Sequence, residues 1–128
     1  SIIYMQRELA GAYIYLSRAG VYTKYDRDIN ELSSASCIYK VRDICIVLVD
    51  NNKWRKQKAL SPLHVDYAYI CRGFYGSVAD LKRLFQIKQV VLDTSLEDSY
   101  REKLKRECEI YGLNYIDMSE KGSYAILL

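Results

Sequence analysis

The run Ile44-Cys45-Ile46-Val47-Leu48-Val49 constrains this chain more than any other stretch. A strand with one face in water alternates apolar and polar side chains. This run does not alternate, and it is rich in β-branched residues, so it reads as a strand covered on both faces. Such a strand needs other layers above and below it, and the remaining sequence must supply them. A chain of 128 residues suits one domain, 1–128, with a core large enough to do so.

The segments before the run read as β. Ile2 to Gln6 and Ala12 to Ser17 suit paired strands with Gly11 near the turn, and Val21 to Tyr25 is a weaker candidate. Asp26 to Ser36 is polar and reads as a loop with at most a helical turn. Ile38 to Val41 is expected to meet Ile44 to Val49 through a tight Arg42-Asp43 connection.

After the run, strands and helices alternate. Val65 to Cys71 suits a strand, Ser77 to Phe85 a short helix, and Gln89 to Leu92 a second buried strand. Ser95 is placed as an N-cap, with Glu97 and Asp98 in the first turn. That helix carries Tyr100, Leu104, Cys108 and Tyr111 as one apolar stripe, with Lys103, Lys105 and Arg106 toward its end and Gly112 as its stop. Tyr115 to Asp117 and Tyr124 to Leu128 close the chain as strands around the turn SEKGS. A β-meander followed by alternating β and α elements predicts an α/β fold with a mixed β-sheet and helices.

Composition narrows the function classes. Half the residues are apolar and 27% are charged, as in an ordinary globular domain. No apolar run approaches the roughly 18 residues of a membrane span. No signal-peptide pattern is present, and SIIYMQ is already strand-like, so the chain reads as a piece cut from something longer. A net charge of +3 permits an anionic partner without demanding one. The cysteines at 37, 45, 71 and 108 form no C-x-x-C pair and read as buried free thiols rather than disulfides. The thirteen tyrosines often alternate, as at Tyr13 and Tyr15 or Tyr67 and Tyr69. Half-buried sheet packing is their plain role, and stacking on nucleotide bases the sharper one.

Several chemistries lack their residues. His64 is the only histidine, so a zinc site would have to recruit scattered thiols, and its place beside Pro62 at the exposed start of a strand does not suit the positioned base a nucleophile needs. There is no P-loop and no G-x-G-x-x-G. Asp50, Asp66, Asp93 and Asp117 lie near strand ends, where a carboxylate magnesium site is conceivable but turn formation is commoner. The segment NNKWRKQK places Lys53, Arg55, Lys56 and Lys58 around Trp54. A positive loop with an aromatic platform can grip single-stranded nucleic acid through phosphate contacts and base stacking. The same loop can equally be solvated, with its Trp folded back on the sheet. Arg72, in the loop CRGFYGS, would extend this surface if the two loops are neighbours.

Three features carry a family likeness: VDYAYICRGFYG at 65–76, QVVLDTSL at 89–96 followed by a basic helix with EC before YGL, and the terminal D-x-S-x-K-G-S-Y-A-I-L-L. Over residues 60–128, and more loosely over IIYMQRELAGAYIYLSRAG, the chain resembles the C-terminal soluble domain of ComEC-type DNA-internalisation competence proteins, nearest the Bacteroides-like branch. The resemblance implies a metallo-β-lactamase-like fold attached to a membrane-embedded portion of the same polypeptide that passes single-stranded DNA in bacterial transformation. It also implies an inner (plasma) membrane parent, with this domain on the extracytoplasmic face. Active relatives of that fold carry H-x-H-x-D-H and a later His-His-Gly-Ser-like loop. The first motif is absent here, and the later loop corresponds to Cys71-Arg72-Gly73-Phe74-Tyr75-Gly76-Ser77. Asp66 matches an Asp common in the equivalent strand.

With the histidines gone, hydrolysis does not carry over, and no catalytic residue, metal or small-molecule cofactor is assigned. The expectation is a DNA-guiding or scaffolding domain, with Lys53, Trp54, Arg55, Lys56, Lys58 and Arg72 as candidate nucleic-acid contacts. A carboxylate-based divalent-metal nuclease and a purely structural interaction domain are the alternatives.

Overall fold

A computed structural model of the chain describes residues 2–6, 13–18, 21–25, 38–41, 43–52, 55, 59, 61–121 and 123–127. Its elements in chain order are β1 (Ile2–Gln6), β2 (Tyr13–Arg18), β3 (Val21–Tyr25), β4 (Ile38–Val41), β5 (Ile44–Val49), β6 (Leu63–Ile70), α1 (Val78–Lys82), β7 (Phe85–Leu92), α2 (Asp98–Tyr111), β8 (Asn114–Asp117), α3 (Met118–Lys121) and β9 (Ser123–Leu127). They form a four-stranded sheet of order β3-β2-β1-β9 and a five-stranded sheet of order β4-β5-β6-β7-β8. All pairings in the first sheet are antiparallel. In the second, β4 and β5 form an antiparallel hairpin, while β5, β6, β7 and β8 run parallel. The fold is therefore mixed α/β.

The apolar run is β5, with a strand on each side. Cys45 to Val49 are all buried, so both faces of the strand are covered as expected. Cys45, Val47 and Val49 share one core with Ala68 and Ile70 of β6, Val90 and Leu92 of β7, Val78 and Leu81 of α1, and Leu104 and Cys108 of α2. The intervening Ile46, Leu48, Tyr69, Val91 and Ile116 are buried as well. Strands β5 to β8 step across the sheet in sequence order, and α1 and α2 pack into one core against them. The sheet segment has no reversal of strand order.

The helix after β6 is shorter than its apolar pattern suggests. Ser77 caps α1 through a capping box with Asp80, but the helix ends at Lys82. Phe85 then opens β7 four residues earlier than expected, because Phe85 to Gln89 pair with β6 from Leu63 onward. Gly112 ends α2 with φ 68° in the left-handed region, where glycine avoids the Cβ clash. The turn expected at SEKGS is partly the short helix α3. Along α2, Leu104 and Cys108 are buried, but Tyr111 is exposed, with Lys82 Nζ 4.2 Å from its ring centroid. Cys45, Cys71 and Cys108 are buried, and none of the three forms a disulfide. Cys37, Gly11 and the segment 26–36 lie outside the described residues.

Candidate nucleic-acid interface

The parallel strands β5, β6 and β7 end at one edge of the sheet, where three loops meet. After β6, the Cys71 N–H donates to the Val49 carbonyl at 2.9 Å, which keeps the chain beside β5 for one more residue. The backbone then turns sharply at Gly73, with φ 112°. A Cβ at Gly73 would lie 2.1 Å from the Asp50 carbonyl oxygen, so the β6 loop crosses the end of β5 at a distance only glycine allows. Two residues on, the Tyr75 N–H donates to Asn52 Oδ1 at 2.8 Å. The segment beginning at Asp50 and the CRGFYGS loop are thus neighbours, as the extension of the basic surface to Arg72 requires.

The third loop, after β7, is organised by Asp93, which is fully buried. Its carboxylate accepts from the Tyr69 hydroxyl at 2.9 Å and from the Ser95 N–H at 3.1 Å. The Ser95 hydroxyl in turn accepts from the Arg72 N–H at 3.0 Å. Ser95 was expected to cap α2; instead its side chain ties two loops together, and the helix starts later, with Glu97 as its N-cap. Arg101, buried on α2, pins this loop from below by donating to the carbonyls of Leu96 at 2.6 Å and Thr94 at 3.2 Å.

Between the loops lies a cleft of about 550 Å³ lined by Arg72, Phe74, Tyr75, Ser95, Leu96, Glu97 and Tyr100. Its aromatic wall pairs exposed Tyr75 with half-buried Tyr100, ring centroids 6.3 Å apart and tilted by 44°. The Tyr100 hydroxyl donates to the Gly76 carbonyl at 2.6 Å. Burial pushes this phenol well above its ordinary value, the Glu107 charge adds to the rise, and the Arg55 charge opposes it. The Arg55 N–H donates to the Asn52 carbonyl at 3.1 Å, in the turn that also holds the Tyr75 N–H.

Of the candidate contacts, Arg55 and Arg72 are exposed, and Arg72 lines this cleft. Lys53, Trp54, Lys56 and Lys58 lie outside the described residues. The basic residues of α2 do not form one free stripe: Lys105 is 12% exposed and salt-bridged to Asp117 at 2.6 Å and to Glu102 and Glu120 at 3.3 Å. Sequence reasoning missed Tyr75, Tyr100, Ser95 and Glu97 as parts of one site. Only the exposure of Tyr75 in a glycine-bounded loop hinted at it, since Tyr100 reads as core on the helical pattern.

The carboxylates near strand ends do not converge. Asp66 accepts from the Cys45 N–H at 2.8 Å and lies 3.6 Å from His64, toward the start of β6. Asp93 and Asp117 are buried and satisfied by Tyr69 and Ser95, and by Lys105 and Ser119, respectively. Among the described residues, no group of three His, Cys, Asp or Glu side chains is placed to hold a metal ion.

A comparison with protein families matches residues 4–128 to the model of the ComEC C-terminal domain. The match extends through the amino-terminal strands as well as the second half. No curated protein and no solved structure matches the chain.

Proposed function

Because the chain belongs to the family of ComEC C-terminal domains, a family of competence and DNA uptake, we propose that its cleft holds or guides single-stranded DNA without cutting it. The observation that carries this reading is the meeting of Arg72 and Tyr75 in one cleft over the ends of β5 and β6, with Arg55 in the adjoining turn, where Asn52 links it to Tyr75. Guanidinium groups suit phosphate, and an exposed tyrosine ring offers a stacking face to any base. In sequence, Lys53, Trp54, Lys56 and Lys58 flank Arg55 and stay candidate contacts by residue type.

The domain, 1–128, is read as a metallo-β-lactamase-like scaffold that has lost its metal chemistry. Two separate sheets, with helices on the second, and a strand–loop–helix unit at 63–82 support this reading. Where active relatives of that scaffold keep histidines, the loop holds Cys71, Arg72 and Gly73. Cys71 is buried and Gly73 abuts backbone, which leaves Arg72 as the group facing solvent. None of the helices among the described residues is long and apolar enough to cross a membrane. The domain would act from the extracytoplasmic face, joined to an inner-membrane portion of the same polypeptide.

Fluorescence anisotropy with labelled single-stranded DNA at two salt concentrations tests the proposal. Affinity should fall as salt rises, and Arg72→Ala should reduce the salt slope by about one phosphate contact. Tyr75→Ala should weaken binding by about 1–3 kcal/mol at either salt. Absence of binding at low salt would refute the reading.

A further inference from the structure

Resting on the reading of the cleft as a site for single-stranded DNA, we propose that Glu97 makes it prefer guanine. A carboxylate is out of place in a pocket that serves phosphate alone. Glu97 nevertheless lines the cleft together with Arg72, Tyr75 and Ser95. As the N-cap of α2 it has extended backbone, φ −64° and ψ 142°, and its side chain makes no capping hydrogen bond. Its neighbour Asp98 is engaged by Arg101 at 2.7 Å, whereas Glu97, exposed and among the residues that line the cleft, makes no such side-chain contact with Arg101.

The backbone that carries Glu97 is held firmly. Arg101 donates to the Leu96 carbonyl at 2.6 Å through its side chain and to the Glu97 carbonyl at 2.8 Å through its N–H. The backbone from which the acceptor extends is thus held in place, so binding has to order only the side chain.

An ionised carboxylate only accepts hydrogen bonds, and it has two oxygens to accept with. Proteins read single strands on the exposed Watson–Crick edge, while the base stacks on an aromatic ring. Guanine offers two adjacent donors on that edge, N1–H and the N2 amino group, which match the two carboxylate oxygens. Thymine offers one donor between two carbonyl oxygens that a carboxylate repels. A nucleotide stacked on Tyr75, with its phosphate toward Arg72, therefore gains most at Glu97 when its base is guanine.

The test compares two oligothymidines of equal length, one carrying interspersed deoxyguanosine and the other deoxyinosine, which lacks only the N2 amino group. Wild type should bind the guanine strand about tenfold more tightly. In Glu97→Gln the difference should shrink to about twofold, because the amide pairs with N1–H and O6, which both bases carry, and no longer offers a second acceptor to the N2 amino group. Equal, salt-dependent binding of both strands by wild type would overturn the guanine preference while leaving the cleft as a DNA site. Failure to bind either strand at low salt would overturn the DNA site itself, and the preference with it.

Discussion

Replacing Arg101 by methionine tests how the cleft is built. The Arg101 side chain is 7% exposed and reaches four groups. Its Nη1 meets Asp98 at 2.7 Å, its Nη2 meets the Leu96 and Thr94 carbonyls, and its Nε lies 3.6 Å from Asp117 without a hydrogen-bond partner. Methionine keeps most of the apolar stem, so little of the loss comes from a cavity. Asp98 is 98% exposed and rehydrates, for about 0–1 kcal/mol. Asp117 keeps Lys105 and Ser119, so no anion is orphaned. The main loss is two carbonyls deprived of a charged donor, about 1.5–3 kcal/mol each and partly recovered where water reaches Thr94. Against this stands the relief of a buried guanidinium whose Nε is unsatisfied. The balance predicts a loss of about 2–4 kcal/mol, read as a lower urea midpoint at unchanged slope. Asp98→Ala should stay within about 1 kcal/mol of wild type. An Arg101→Met variant as stable as wild type would show that desolvation outweighs the carbonyl bonds. An equal loss in Asp98→Ala would place the energy in the exposed ion pair instead.

Gly73→Ala should cost about 3 kcal/mol or more, because it combines a left-handed φ with a Cβ driven into the Asp50 carbonyl; thermal unfolding of the variant checks this, and a midpoint equal to wild type would contradict the close crossing. Acid should destabilise the fold through Asp117. Burial raises its carboxyl, but the hydrogen bonds of Lys105 and Ser119 outweigh burial and hold it below its ordinary 3.8. A depressed carboxyl contributes stability in full above its unfolded value, and that contribution is lost as pH falls through the folded one. Unfolding midpoints followed from neutral pH to below 3.8 should therefore fall less steeply in Lys105→Met than in wild type, and parallel curves would refute the coupling.

Much of the scaffold is legible in residue order. Six unbroken apolar residues require a strand with both faces covered, and β5 is that strand. Gly112 and Ser77 mark helix ends by local conformational preference, which needs no distant partner. The start of β7 was missed because Gln86 and Lys88 are exposed there, so pairing with β6 rather than burial makes that half a strand. Ser95 was misread for a related reason: its hydroxyl had two uses, and the Arg72 N–H, 23 residues away, took it.

The family, the α/β class and the presence of a single histidine follow from the sequence itself, because chemical identity and short-range periodicity are local properties. The cleft does not. Tyr75, Glu97 and Tyr100 meet only because parallel pairing brings the ends of β5, β6 and β7 to one edge, Gly73 lets their loops cross, and Arg101 holds the last of those loops in place. The contacts that join the loops, Gly73 with Asp50, Tyr75 with Asn52 and Arg72 with Ser95, each link residues 23 positions apart, a distance over which neither periodicity nor propensity carries information.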